Sequence, residues 1–561
     1  MTRSADPIVR HFRQILMWPL QLMPMSSADQ RNPGRVQTPW EYLDQCDGPN
    51  PWLELVDDFN VDPAQFQERH YREFVTFLPH VQRFLYGQAR SIVAKVGFGE
   101  SPIRVFRRSD VSACRMHFDD GQAVDFSLSH IDLYFFFDID IVFLVVEIFA
   151  DELPLSRVQD TLYRFGRDSP AGWNPDGSPV ACIPRVEWIG TEGQVLVSSD
   201  MDDRAGYLAF AGEHRAQRIG AHWQYLLEPM VHHHTGRPGP IRYRQIEYHR
   251  MPKLSYLALD DPFVLTDDDF FRLAMATRPD DGLPLPYSPE VIRSVKADML
   301  YDRFWNAELR DLRASTRVVG NGHSMSIVGS WQDSFFRDMD AGMRGQFRHQ
   351  YFLVGLIAHF HKACLLMFSD RLINSVSLLD LDDPESERRF RETIRSTREV
   401  FLRFNHRYWF HEVSNQSMAR DLFEMWSRHL RTDRLFEEVR EEVLDMGTYL
   451  DSDDARRQGD AVLRLTVVTI FGLIGTIATG FLGMNLIDET DEKPIVRLII
   501  FASVLLPTVL ITVLTIRYSK ALSEILDTIA NESSEGWLSR LRRVRRVVAG
   551  RRSGRRQISG D

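Results

Sequence analysis

Thr466, Thr469, Thr476 and Thr479 alternate with Gly472, Gly475, Gly480 and Gly483, and Asn485 follows them; residues 465–486 contain no fixed charge. Small residues let helices approach closely in an apolar medium, and hydroxyls can bond across helices or line a wet channel. Just beyond lie Asp488, Glu489, Asp491 and Glu492, against the single cation Lys493. This combination suits the passage of a hydrated divalent cation. Mg2+ gives up its waters reluctantly and is often held through them. A ring of Asn485 amide oxygens would accept hydrogen bonds from those waters. A carboxylate ring inside an apolar span would bind a dication too tightly to release it. Carboxylates are better placed in the loop, where they concentrate cations electrostatically. One helix cannot enclose a channel, so this chemistry requires several copies of the chain around one axis.

The elements that must position these residues are two apolar segments, 462–482 and 496–516, each 21 residues long. At about 1.5 Å per residue each spans roughly 30 Å, the thickness of a bilayer's hydrocarbon layer. Arg456, Arg457 and Arg464 flank the first, Arg517 and Lys520 follow the second, and the loop between them is acidic. Both ends are therefore expected in the cytoplasm of a multi-pass protein of the cell (inner) membrane. Two other apolar stretches are expected to be soluble. Residues 133–149 carry Asp138, Asp140 and Glu147, a heavy cost in lipid, and read as core strands. Residues 351–368 carry His359, His361 and Lys362 and read as a buried helix.

The 561 residues are too many for one compact core. The net charge of −11 is unevenly spread, because the last 45 residues are Arg-rich and the remainder is acidic. Cys46, Cys114, Cys182 and Cys364 form no CxxC pair, which fits reduced cytosolic thiols. Residues 1–100 read as an N-terminal extension with an amphipathic lead-in at 15–25 and a helix near 63–93. Residues 101–265 read as a cytoplasmic α/β domain with strands at 123–130, 141–149, 241–249 and 254–259. Ser156 and Gln159 have capping-box spacing for a helix start. Residues 285–461 read as a helical region ending in a long stalk helix that begins near 415 and runs into the first span, because 415–483 holds no proline. Residues 462–520 form a two-helix pore domain and 521–561 a basic cytoplasmic tail suited to anionic lipid headgroups rather than nucleic acid.

The chain has no P-loop, GxSxG or HExxH, so neither an ATP-driven pump nor an enzyme is expected, and no organic cofactor is implied. His232, His233 and His234 are adjacent, cannot easily converge on one ion, and read as a surface loop.

Gly483-Met484-Asn485, at the outer end of the first of two C-terminal spans, resembles the CorA-like magnesium transporter family. The similarity runs back through Leu465-Thr466-Val467-Val468, Thr476 and Gly480, and covers about residues 400–520. The resemblance implies an α+β cytoplasmic domain with a long stalk helix plus two C-terminal transmembrane helices, assembled as a funnel-shaped homopentamer. It implies that Asn485 binds the hydrated ion and that Thr476 forms a second polar ring. Leu465 and Val462, with Leu473 above, would form an apolar constriction; Thr469 and Gly480 complete the pore-lining set. Family members sense internal metal at acidic cytoplasmic sites, for which Asp451, Asp453 and Asp454 are the candidates, with Mg2+ as both cargo and regulator. Two departures bear on ion preference: Leu482 stands where the family has an aromatic residue, and residues 486–494 replace its Met-Pro-Glu-type loop. The expected function is passive Mg2+ uptake, with transport of Zn2+, Co2+ or Ni2+, including efflux, or a membrane-tethered cytosolic sensor as alternatives.

Overall fold

The computed structural model describes residues 6–23, 39–44, 50–55, 67–87, 102–136, 138–237, 239, 241–247, 250–279, 285–380 and 383–483, and 494–510 in part. The chain divides into two units, 1–443 and 444–561.

The first unit is an α+β domain built on a mixed 14-stranded sheet. Its centre is three long strands, Ile8–Met23, Ile141–Pro154 and Ala123–Phe136, paired antiparallel in that order. Apolar and aromatic residues dominate all three, and Val142 to Val146 are each at most 1% exposed, as a strand covered on both faces requires. Along the first strand Phe12, Leu16, Trp18, Leu20 and Leu22 enter the main core. There they meet Leu155, Val158 and Leu162 of helix Leu155–Arg164, and Phe270 and Leu273 of helix Asp267–Met275. The opposite face receives helix Phe352–Ser377, whose Phe360 stacks on Phe136 at 4.2 Å. Gly355 of that helix would place a Cβ 3.0 Å from Trp426 of helix Ser417–Leu430, so glycine is what lets the indole pack there.

Strict alternation fails at one informative place. Phe126, Ile131, Leu133 and Phe135 all belong to the main core, which a period of two forbids for an even and an odd set. A register shift between Leu128 and His130 reconciles them and turns His130 and Asp132 to the other face.

Several expectations are corrected. The N-terminal residues are not an appendage: Ile8–Met23 pairs along its length with Ile141–Pro154 and holds Lys253–Leu259 and Arg242–Gln245 on its other edge. Pro19, which suggested a broken lead-in, sits where the strand passes from one of these partners to the other, so its missing N–H costs no ladder bond. Of the region 63–93, the described residues 67–87 form two helices, Glu68–Thr76 and Pro79–Tyr86, divided before Pro79. Helix Leu155–Arg164 starts at Pro154 without a side-chain cap, so Ser156 and Gln159 form no capping box. Beyond residue 285 the chain is not purely helical, for Leu300–Trp305, Ser315–Gly320 and Ser324–Ser330 extend the same sheet. The continuous helix expected from about 415 is two helices, broken at Arg431 in the left-handed region.

Among the described residues one helical run, Met343–Ser377, is long and apolar enough to cross a membrane, and 78% of its most apolar window is buried. It is a core helix, as His359, His361 and Lys362 predicted.

Close packing beside the sheet gives a sharp stability test. A Cβ on Gly329 would lie 2.3 Å from the Phe336 ring, whereas one on Gly212, in helix Arg204–His214, meets nothing within 4 Å. Gly329→Ala is expected to cost about 1–3 kcal/mol and Gly212→Ala to gain about 0.5–1 kcal/mol, read as opposite shifts in thermal midpoint.

Candidate functional site

Helix Thr432–Gly483 is 52 residues long, about 78 Å at the α-helical rise. It has no proline, and exposed pairs such as Arg434–Glu438 and Arg440–Glu437 support its first turns. Its terminal part carries Val462, Leu465, Thr469, Leu473, Thr476, Gly480 and Gly483, which recur every three or four residues and so share one stripe. Val462, Leu465 and Leu473 are 63%, 67% and 59% exposed. A second stripe, Val467, Phe471, Gly475 and Thr479, is buried or half-buried. The sequence-selected residues thus lie together on the open side of the helix.

The threonine hydroxyls are already committed as donors. Thr466, Thr469 and Thr476 each donate to the carbonyl four residues back, at 2.9, 2.7 and 2.9 Å. Their oxygen lone pairs remain free to accept. A hydrated cation presents water hydrogens outward, so an acceptor-only surface is the chemistry it needs.

Met484, Asn485, Asp488, Glu489, Asp491 and Glu492 lie outside the described residues. An apolar helical stretch, Pro494–Pro507, covers part of the second segment. Asp453 is occupied by Arg456 and Arg457, each at 2.9 Å. Asp451, Asp453 and Asp454 follow one another on the helix, and among the described residues no group of three His, Cys, Asp or Glu side chains is placed to hold a metal ion.

Sequence reasoning missed a buried charge cluster in the first unit. Glu147, fully buried, receives Arg13 from the neighbouring strand, His130 Nε2 at 2.7 Å from the opposite one, and Arg348 at 2.8 Å. Arg348 comes from a π-helical turn, Phe347–Tyr351, that leads into helix Phe352–Ser377. His130 Nδ1 lies 3.1 Å from Asp132, which also takes Arg107 at 2.8 Å. The available signal was a glutamate within an aliphatic strand, which argued against a membrane span there but did not reveal its partners. Burial would lower the His130 pKa, but Asp132 and Glu147 outweigh it and raise the ring to about 9. The raised folded-state value means that His130 contributes stability fully below its ordinary pKa near 6.5 and loses it as pH rises through about 9. The thermal midpoint is expected to decline between pH 7 and 9.5, and His130→Gln should flatten that decline.

The histidine triplet is also corrected. His232 is not on a surface loop: it is 3% exposed, in strand Val231–His232. Its ring is 5.5 Å from that of His234, and desolvation lowers the pKa of all three histidines, that of His232 to about 4.

No protein-family model, curated protein or solved structure matches this chain.

Proposed function

We propose that this chain is a subunit of an oligomeric membrane channel that passes hydrated divalent cations, Mg2+ foremost, down their electrochemical gradient, and that it is a CorA-like transporter. The observation that carries the proposal is the terminal part of helix Thr432–Gly483: an uncharged stripe of threonine, glycine and aliphatic residues left exposed in the single chain. Much of the described part of the second segment is exposed too, with Leu498, Ile499 and Leu506 at 62–67%. Apolar surface this continuous calls for lipid or partner helices. The reading assigns the outward apolar residues to lipid and the threonine stripe to an axis shared with several other copies.

In this account residues 462–482 and 496–516 span the membrane, the α+β domain lies in the cytoplasm, and Asn485 forms the entrance ring beneath the acidic loop. A dication crossing 100 mV gains about 4.6 kcal/mol, twice the charge-one value, so no nucleotide is required. The assembly is a homopentamer. Asp451, Asp453 and Asp454 are the candidate sensing residues between copies.

Purified protein in liposomes should load Mg2+ when an inside-negative potential is imposed without nucleotide, and particle counting should give five subunits. A monomer with no flux would overturn the reading. If the spans only tether a cytosolic sensor, exchanging both for unrelated apolar helices would preserve function; on the channel reading it abolishes it. Growth of a magnesium-starved, transporter-null strain against tolerance of zinc separates Mg2+ uptake from zinc export.

A further inference from the structure

A cavity of about 610 Å3 opens in the first unit between strands Val231–His232 and Arg242–Gln245 and helix Ala221–Leu227. Its volume lies in the range of small-molecule sites. His232 and Tyr243 stand side by side in the parallel register of the two strands, their rings 5.8 Å apart. Both line the cavity and are 3% and 1% exposed.

Each nevertheless keeps a polar atom in reserve. The Tyr243 hydroxyl makes no hydrogen bond among the described residues. His232 Nε2 is 3.0 Å from Gln245 Oε1, and Gln245 Nε2 donates to Asp168 Oδ2 at 3.3 Å. Asp168 also accepts from the Ser169 hydroxyl. This chain fixes the histidine tautomer. The Gln245 amide must turn its NH2 to the carboxylate, so its oxygen accepts from His232 Nε2–H. The Nδ1 lone pair of His232 is then left as an acceptor without a partner among the described residues.

Two charges at the cavity share this condition. Glu228 and Arg237 are exposed, line the cavity, and have no ion-pair partner among the described residues. Tyr243, Glu228 and Arg237 all line the same cavity, and after the larger effect of burial Glu228 and Asp168 raise the Tyr243 pKa while Arg237 lowers it. By contrast Arg108 and Asp110 deeper in the wall are bound to each other at 2.6 Å, and Asp110 also accepts from Tyr225. They form a finished wall rather than a free binding group.

We propose that this cavity binds a small zwitterion of the α-amino acid class, its carboxylate on Arg237 and the Tyr243 hydroxyl, its ammonium on Glu228 and His232 Nδ1. A simple anion would leave Glu228 and the His232 lone pair opposed to it, and a simple cation would leave Arg237 opposed to it. Only a ligand carrying both signs satisfies all four groups. The site makes the first unit a receptor for a small metabolite, and it stands independently of the channel reading.

The test is calorimetric titration of the purified full-length chain in detergent with the L-amino acids, then with the amine and the carboxylic acid that each lack one charge of the tightest binder, and with inorganic phosphate. At least one amino acid should bind with a sub-millimolar Kd, and both single-charge analogues should bind at least tenfold more weakly. Arg237→Ala and Glu228→Gln, at exposed positions, should each weaken binding at least tenfold while leaving the melting temperature unchanged. Absence of binding by every amino acid, binding of phosphate or of the carboxylic acid as tight as the zwitterion's, or full affinity in Arg237→Ala would each overturn the proposal.

Discussion

Asn485→Ala is expected to reduce Mg2+ flux into liposomes by at least about a hundredfold while leaving the particle assembled. An ion that keeps its waters is recognised by acceptors for their hydrogens, and each hydrogen bond to such a shell contributes up to about 1.5 kcal/mol net. Losing two such bonds already corresponds to about a hundredfold, and the ring loses one from every copy at once. Asn485→Asp separates recognition from release. A carboxylate ring should hold the dication more tightly and pass it more slowly, because conduction needs a site that the ion can leave. The readout is a fluorescent Mg2+ indicator inside the vesicles, with assembly checked by size. Wild-type flux in the alanine variant would remove the entrance ring, and with it the reason for reading the Gly-Met-Asn tripeptide as a selectivity site.

How far the sequence could lead is visible in particular residues. The strands at Ala123–Phe136, Ile141–Pro154 and Lys253–Leu259 were legible because aromatic and β-branched residues run through them between turn signals. The core helix Phe352–Ser377 was legible because His359, His361 and Lys362 are costly in lipid. The place of Ile8–Met23 was not, for its partners lie more than a hundred residues away and Pro19 imitates a break until those partners are known. The strands beyond residue 285 were hidden similarly: Ser315–Gly320 and Ser324–Ser330 are short and small-residue-rich, and only pairing with their neighbours identifies them. At the candidate site, Val462, Leu465 and Thr476 were singled out through the resemblance and not by their spacing; their common stripe shows only once the helix is drawn. The cavity at His232 and Tyr243 was illegible, because adjacent histidines advertise a metal whereas the chemistry comes from Gln245 and Asp168 fixing one tautomer.

The buried cluster around Glu147 leads to the largest stability effect expected in the first unit. Glu147→Ala should destabilise the protein by about 3–5 kcal/mol, the range for removing one partner of a buried charge network. The control is Glu68→Ala at the exposed Arg72 pair, where about 0–1 kcal/mol is expected. The asymmetry arises from what is left behind. Arg13 and Arg348 cannot shed their protons near neutral pH, so the buried Arg13 and the partly buried Arg348 each lose their counter-charge at that position. His130 has an escape: without Glu147 its pKa falls toward neutrality, Asp132 alone opposing the desolvation that lowers it. The variant should therefore be less stable at every pH, and the stability lost on raising the pH through 9 in the wild type should be lost at lower pH instead. A thermal midpoint unchanged by Glu147→Ala would mean that water reaches the two arginines and that the cluster is not the dry junction between the sheet and the π-helical turn. The double variant Glu147→Met, His130→Leu should still be destabilised, since neither change removes the arginines, and that distinguishes uncompensated cations from a simple loss of packing.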